Sequence, residues 1–158
     1  MTTTDARGDV VVTLEREFSI VPQLMWELWT DPAHLARWFR PTLDHHLESD
    51  VTADVRVGGA WKAAMHGVDG GAWTVGGRFL EVSPITRLAL SWAWEPADVE
   101  ASAPSGESSR VEVTLTPTRT GTHLRLDHSL LTTQEDRDSH LEGWVGCFAS
   151  LSGVYEEP

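Results

Sequence analysis

A change of hydrophobic period near residue 132 constrains the fold more than any other feature. Upstream of it, apolar and polar residues alternate, which is typical of half-buried strands. Downstream, apolar residues recur at helical spacing, and Thr132 with Glu135 matches a capping box. This predicts one helix over about 133–156, with the buried stripe Leu141, Trp144, Val145, Phe148, Leu151 and Tyr155. One long helix must therefore cover an antiparallel sheet.

The segments before this helix give the order of the other elements. A first strand, DVVVTLEREFSI, is followed by two short helices that begin at Pro22 and at the Asp31-Pro32 step. Five or six further strands lie between residues 47 and 131. We expect an α+β fold in a single domain over 1–158, with a flexible tail at 1–8. The stretch 96–108, rich in Ala, Ser, Pro and acidic residues, is expected to be a mobile loop.

Composition and charge exclude several functions. Asp and Glu number 24 against 12 Lys and Arg, which gives a formal net charge of −12 and argues against nucleic acid as a partner. No apolar run is long enough to span a membrane, and no signal peptide is visible. Cys147 is the single cysteine, so no internal disulfide can form, and we expect a cytoplasmic protein.

Eight tryptophans stand out in the composition. They either fill the core or form the wall of a rigid aromatic pocket, with indole N–H groups as polar handles. In the stretch WELWTDPAHLARWF, Trp29 is expected to anchor the first short helix, and Trp38 to face the pocket mouth as part of a lid. The aromatic residues considered for the wall are Trp26, Trp29, Trp38, Phe39, Trp61, Trp92, Trp94 and Trp144.

Two polar residues lie on the apolar side of predicted strands, Arg16 in the first and His128 in the last. A buried polar group needs a hydrogen-bond partner, so they could form a structural cluster. Alternatively they form the polar end of a pocket. In that case Arg16 would hold a carboxylate or enolate, and His128 would transfer a proton.

Other candidate features favour structural roles. His45, His46, Glu48 and Asp50 lack a second ligand cluster at suitable spacing, and we expect no metal. No dinucleotide or P-loop fingerprint is present, and we expect no cofactor.

Two further pairs of residues allow more than one role. Arg56 and Glu81 are expected to be structural and could form an ion pair. Gly143 and Gly146 interrupt the long helix, either for close packing on the sheet or to leave space for a ligand.

Taken in order, several motifs resemble the family of activators of heat-shock-protein-90 ATPase homologues. These are the W-T-D-P step, R-V-G-G-A-W, G-R-F-L-E-V-S-P-I-T-R-L, G-T-H-L-R-L-D-H and the final G-W. The resemblance implies the START-like, helix-grip fold: a curved antiparallel sheet of six or seven strands around a long C-terminal helix. It also implies a cavity between them. The expected lining residues are Trp26, Trp38, Phe39, Trp61, Met65, Phe79, Trp92, Trp94, His128, Trp144 and Phe148.

Three functions are compatible with this pattern. The first is binding of a small apolar or amphipathic molecule in the cavity. The second is a cyclase- or hydrolase-like enzyme that uses Arg16 and His128. The third, implied by the resemblance alone, is a stress-related co-chaperone whose partner is a chaperone. An exposed strand edge or the short helices could also support a homodimer.

Overall fold

The computed structural model of the chain describes residues 10–42, 46–94, 109–131 and 133–156. A seven-stranded antiparallel sheet packs against three helices, which confirms the helix-grip prediction. The expected tail 1–8 and loop 96–108 lie outside the described residues. The strands are β1 (Val10–Phe18), β2 (His46–Ala53), β3 (Ala60–Gly67), β4 (Ala72–Ser83), β5 (Arg87–Trp94), β6 (Ser109–Pro117) and β7 (Thr122–Leu131). The helices are α1 (Pro22–Thr30), α2 (Pro32–Trp38) and α3 (Gln134–Tyr155).

The strand order is β1-β7-β6-β5-β4-β3-β2, so β2 to β7 form a continuous meander. The two edge strands, β1 and β2, are joined by α1 and α2, which must therefore cross from one edge of the sheet to the other. Their sequence suits this short crossing. Pro22 and Pro32 occupy first helical turns, and the Asp31 carboxylate accepts a hydrogen bond from Ala33 N–H at 2.9 Å.

Helix α3 packs on the sheet through one face, as predicted, but two details differ. Its N-cap is Thr133, whose hydroxyl accepts from Asp136 N–H at 3.0 Å, so the predicted Thr132–Glu135 capping box is wrong. Val145 is 51% exposed and lies outside the buried stripe, because the sheet contacts a face centred near Trp144. The buried residues of α3 are Arg137, Trp144, Cys147, Phe148, Ser150 and Leu151.

The core between α3, the short helices and the sheet is closely filled at the β1–β7 side. Leu124 and Leu126 of β7 are completely buried, and Phe18 packs edge-on against Phe148 at 5.8 Å between ring centroids. No helix in the described part of the chain is long and apolar enough to cross a membrane.

Candidate functional site

A cleft of about 430 Å³ opens between α3 and the β3–β5 part of the sheet. The volume falls within the usual range for small-molecule sites. The N-terminal half of α3 forms one side of the cleft and strands β3 to β5 form the other, with the segment after α2 between them. The lining residues, called here the cleft, are Phe39, Pro41, His46, Met65, Trp73, Trp92, Trp94, Asp136, Ser139, His140, Gly143, Trp144 and Cys147.

A smaller cavity of about 40 Å³ lies beside the cleft and shares three of its wall residues, Phe39, Trp92 and Trp144. This inner cavity is lined by side chains that are otherwise apolar. They are Trp29, Leu35, Phe39, Val51, Ala53, Trp61, Ala63, Phe79, Leu90, Trp92, Val111 and Trp144. A space of this size admits a small terminal group of a ligand, and not a ring.

The wall between the cleft and the inner cavity is a network of aromatic rings centred on Trp92. Its ring centroid lies 5.1 Å from Trp144, 5.5 Å from Trp61, 5.6 Å from Trp94 and 5.8 Å from Phe39. Tilted and edge-on pairs at these distances are attractive and hold the rings in place. The cleft therefore has a rigid aromatic floor before any ligand enters.

His140 on α3 is one of the polar residues that line the cleft, and its hydrogen bonds define its tautomer. Nδ1 lies 2.8 Å from the carbonyl oxygen of Asp136, so Nδ1–H must donate. Nε2 accepts from the indole N–H of Trp94 at 2.9 Å. The imidazole is therefore neutral when both bonds are made. It fixes the Trp94 ring against the cleft.

His128 lies behind this wall, fully buried, with its ring 4.7 Å from that of His140. Its Nδ1 accepts from the Trp144 indole at 3.0 Å, which leaves Nε2–H to donate to the Ser109 hydroxyl at 2.7 Å. The Ser109 hydroxyl in turn donates to the carbonyl oxygen of Trp92 at 3.1 Å. Burial, together with nearby His140, lowers the pKa of His128 well below its usual value. His128 is thus a neutral structural link.

The expected pairing of Arg16 with His128 is wrong. Across β1 and β7, Arg16 pairs with Leu124 and His128 pairs with Val12, which separates them by roughly 13 Å along the sheet. The Arg16 side chain is 42% exposed and donates to the Ser152 hydroxyl at 3.1 Å, near the C-terminal end of α3. The alternation of β1 indicated the correct face. It could not show that this residue lies beyond the closed core.

The predicted lining residues divide into two groups. The structure brings together at the cleft or the inner cavity Phe39, Trp61, Met65, Phe79, Trp92, Trp94 and Trp144. The others line neither space: Trp26 is half-buried beside the core, Trp38 and His128 are fully buried, and Phe148 packs on Phe18. Trp29, which was expected to anchor α1 and was not among the expected lining residues, lines the inner cavity.

Sequence reasoning missed the polar side of the cleft, namely His46, Asp136, Ser139 and His140. One signal was present for His140, because it lies four residues before Trp144 and thus on the same helical face. Trp73 was also missed. It is 46% exposed, and its ring lies 5.7 Å from that of His46 at the rim.

The electrostatics of the cleft are simple. Among its lining residues, Asp136 is the one acidic side chain, and no Lys or Arg is present. Cys147 also lines the cleft, but burial raises its pKa to about 12, so it is a thiol and not a nucleophilic thiolate at neutral pH. The site suits a neutral molecule better than an anion.

Two further predictions concern an ion pair and a metal site. Arg56 bonds Asp54 at 2.7 Å and Glu81 bonds Arg87 at 2.9 Å, so the suggested Arg56–Glu81 ion pair is wrong. The described residues hold no group of three or more His, Cys, Asp or Glu that could bind a metal ion.

Gly143 and Gly146 of α3 correspond to the two alternatives, one each. A Cβ on Gly146 would lie 1.9 Å from the carbonyl oxygen of Pro41, so this glycine permits close packing. A Cβ on Gly143 would meet nothing within 4 Å, and Gly143 lines the cleft.

Comparison with solved structures identifies proteins of similar fold over more than nine tenths of the chain. A structure from Chromobacterium violaceum is 24% identical with a TM-score of 0.75, covering 94% of this chain and 98% of its own. A Nitrosomonas europaea structure is 26% identical with a TM-score of 0.74, covering 95% of each chain. The AHSA1 protein from Silicibacter pomeroyi is 27% identical with a TM-score of 0.75, covering 91% of this chain and 96% of its own.

A search of the curated proteins gave no match. The family model described as Activator of Hsp90 ATPase homolog 1-like protein matches residues 19–156, which is most of the chain. The protein therefore belongs to the Activator of Hsp90 ATPase homolog 1-like family.

Proposed function

We propose that the protein binds a small, neutral, apolar or amphipathic molecule in the cleft. The observation that carries this proposal is the cleft itself, about 430 Å³ beside a prearranged tryptophan wall. Burial of ligand surface against rigid aromatic rings supplies affinity with little loss of side-chain entropy. Family membership supports the same general role, because the helix-grip fold forms a cavity between its sheet and its long helix.

The charge of the lining residues narrows the class of ligand. A carboxylate or phosphate in the cleft would lie near Asp136 with no lining Lys or Arg to compensate it. Burial of an unpaired anion is unfavourable. The ligand is therefore neutral and largely apolar, with few polar atoms.

The test uses a neutral planar dye, propionyl-dimethylaminonaphthalene, titrated against the protein by fluorescence. Gly143→Trp would fill the cleft with an indole and should weaken binding at least about tenfold. Gly143→Ala adds a single methyl group in open space and should change affinity by less than about twofold. Equal binding by the wild type and Gly143→Trp would show that the dye binds elsewhere. No binding to the wild type would overturn the proposal for neutral aromatic ligands.

Native mass spectrometry of the protein purified from its own cell is the complementary experiment, because it detects a natural ligand directly. A mass increment that disappears in Gly143→Trp and persists in Gly143→Ala is the expected result. An increment that both variants retain would place that ligand outside the cleft.

A co-chaperone role is a second proposal, supported by the family description alone. Its test is the ATPase rate of an Hsp90 chaperone with and without the protein, and an unchanged rate would refute it. The cyclase- or hydrolase-like alternative lacks support from the geometry. Arg16 and His128 do not share a site, and His128 is occupied in structural hydrogen bonds.

A further inference from the structure

Both ring nitrogens of His140 are held by partners, and its side chain is only 10% exposed. Nδ1–H donates to the carbonyl oxygen of Asp136 at 2.8 Å, and Nε2 accepts from the Trp94 indole N–H at 2.9 Å. His140 belongs to α3 and Trp94 to β5, and both residues line the cleft. The hydrogen bond between them therefore joins the two sides of the site.

This hydrogen bond exists in one protonation state of His140 alone. A neutral imidazole offers a lone pair at Nε2, whereas an imidazolium carries a hydrogen on each nitrogen. An indole N–H donates and cannot accept. Proton uptake at Nε2 would thus set two N–H groups against each other across 2.9 Å, and the Trp94 ring would have to move away. The position of one wall of the cleft therefore depends on the charge of His140.

The titratable groups around His140 determine what a proton there would meet. On α3, a carboxylate oxygen of Asp136 lies 3.4 Å from Nδ1 and favours a charged ring. On β7, the His128 ring lies 4.7 Å away, but burial and the nearby His140 lower the pKa of His128, so this ring does not take the proton instead. Strand β5 presents only indole rings to His140, and these do not titrate. The other titratable residues that line the cleft are His46 and Cys147.

A proton on His140 and a neutral ligand in the cleft oppose each other for two reasons. An imidazolium covered by an apolar molecule loses its hydration, and Asp136 is the one lining residue whose negative charge compensates it. In addition, the Trp94 ring would no longer be held against the site, so the ligand would have to order it on binding. Both effects weaken binding when His140 is charged.

We propose that proton uptake at His140 controls ligand binding in the cleft. The neutral imidazole holds Trp94 in place and permits binding, and the imidazolium releases first the Trp94 ring and then the ligand. Histidine is the side chain that changes charge between about pH 5 and 8, so mild acidification is the signal. This inference rests on the proposed function, and it adds the regulation of that same site.

The experiment measures binding of N-phenyl-1-naphthylamine, a neutral probe that does not titrate in this range, by fluorescence at about pH 8 and about pH 5.5. One proton that competes with a ligand changes its affinity by up to about tenfold per pH unit. The wild type should therefore bind the probe at least about fivefold more weakly at the lower pH. Circular dichroism at each pH shows that the protein is folded, and the lower pH is raised if it is not.

Two variants assign the effect to one imidazole. His140→Gln keeps an amide oxygen that can accept from Trp94 but binds no proton, so the ratio of its affinities at the two pH values should be about one. His46→Gln is the matched control, because it removes the other imidazole that lines the cleft, and it should keep the wild-type ratio. If His140→Gln fails to fold, His140→Asn also binds no proton and takes its place.

An independent readout follows the Trp94 ring itself. In protein labelled with ¹⁵N-tryptophan, the Trp94 indole N–H resonance, assigned by its loss in Trp94→Phe, should shift over the pH range in which affinity falls. His140→Gln should abolish this shift. A purely structural His140 would leave the resonance unchanged with pH.

The possible results separate this inference from the proposed function. Equal affinity of the wild type at both pH values, or a pH dependence that His140→Gln retains, would overturn the inference and leave the proposed function intact. An affinity that changes with pH while the Trp94 resonance stays fixed would overturn it as well, because the ring would not respond to the proton. Failure to bind the probe at either pH would overturn both.

Discussion

Trp38 has no exposed surface, and its indole N–H donates to the carbonyl oxygen of Leu28 at 2.8 Å. Its ring lies 4.8 Å from that of Trp29, which lines the inner cavity. Trp38 therefore ties the end of α2 to α1 and supports the wall from behind. The sequence-based expectation that Trp38 faces the pocket mouth is wrong.

Trp38→Ala should lower the free energy of unfolding by about 3–5 kcal/mol, because it removes a large core ring and its hydrogen bond. Trp73→Ala is the comparison: this ring is 46% exposed at the rim of the cleft, and its loss should cost less than about 1 kcal/mol. Urea denaturation of both variants measures the difference. A loss below about 1 kcal/mol for Trp38→Ala, with ligand binding abolished, would restore the lid hypothesis.

At the scale of elements, α3 performs two tasks along one face. Near Gly146 it approaches the segment after α2 so closely that a methyl group cannot fit against Pro41. One turn earlier, at Gly143, it stands away from the sheet and leaves the cleft open. The helix thus closes the core at its C-terminal half and borders the ligand site at its N-terminal half.

Alanine substitutions at these two glycines should change stability in opposite directions. Gly143→Ala should raise the free energy of unfolding by about 0.5–1 kcal/mol, because alanine favours a helix and its methyl group meets nothing. Gly146→Ala should lower it by about 1–3 kcal/mol, because its Cβ would overlap the carbonyl oxygen of Pro41. Thermal and urea unfolding provide the comparison. Equal effects of the same sign would mean that helix propensity, and not packing, dominates at both positions.

Element positions could be predicted from the sequence because each rests on a local period, as the close match of α3 to 133–156 shows. The polar side of the cleft depends on contacts distant in sequence, and no local pattern reports them. His140 meets Trp94 across 46 positions, and it follows a serine and an aspartate that indicate only an exposed helix. For Arg16, strand alternation gives the face but not the depth, which depends on where α3 ends.

At the scale of the whole molecule, ion pairs lie on the surface, whereas the titratable imidazole of His128 is fully buried. The outer face of the sheet carries ion pairs such as Arg87 with Glu81 and Glu112. Near the end of α3, burial of Glu156 is outweighed by hydrogen bonds from Ser152 and from Ser19 N–H and by nearby Arg16, so its pKa lies below its usual value. His128 is fully buried and is held neutral between Trp144 and Ser109.

Glu156 and His128 make the free energy of unfolding depend on pH in separate ranges. The pKa of Glu156 is lowered in the folded state, so its contribution is present at neutral pH and disappears as pH falls below about 4.5. The pKa of His128 is also lowered in the folded state, well below 6.5. At pH values between the native pKa of His128 and about 6.5, the unfolded chain binds a proton on His128 and the native protein does not. The free energy of unfolding therefore falls as pH falls below about 6.5.

From pH 6.5 downward, His128 alone should reduce the free energy of unfolding by up to about 1.4 kcal/mol per pH unit, until its native pKa is reached. His128→Gln can still accept from Trp144 and donate to Ser109, but it cannot bind a proton in either state. The variant should start from a lower stability at pH 8 and lose less between pH 6.5 and 5 than the wild type. Urea unfolding at several pH values measures both slopes. Parallel curves for the two proteins would show that His128 takes up a proton in the folded state, which would contradict its assignment as a neutral structural link.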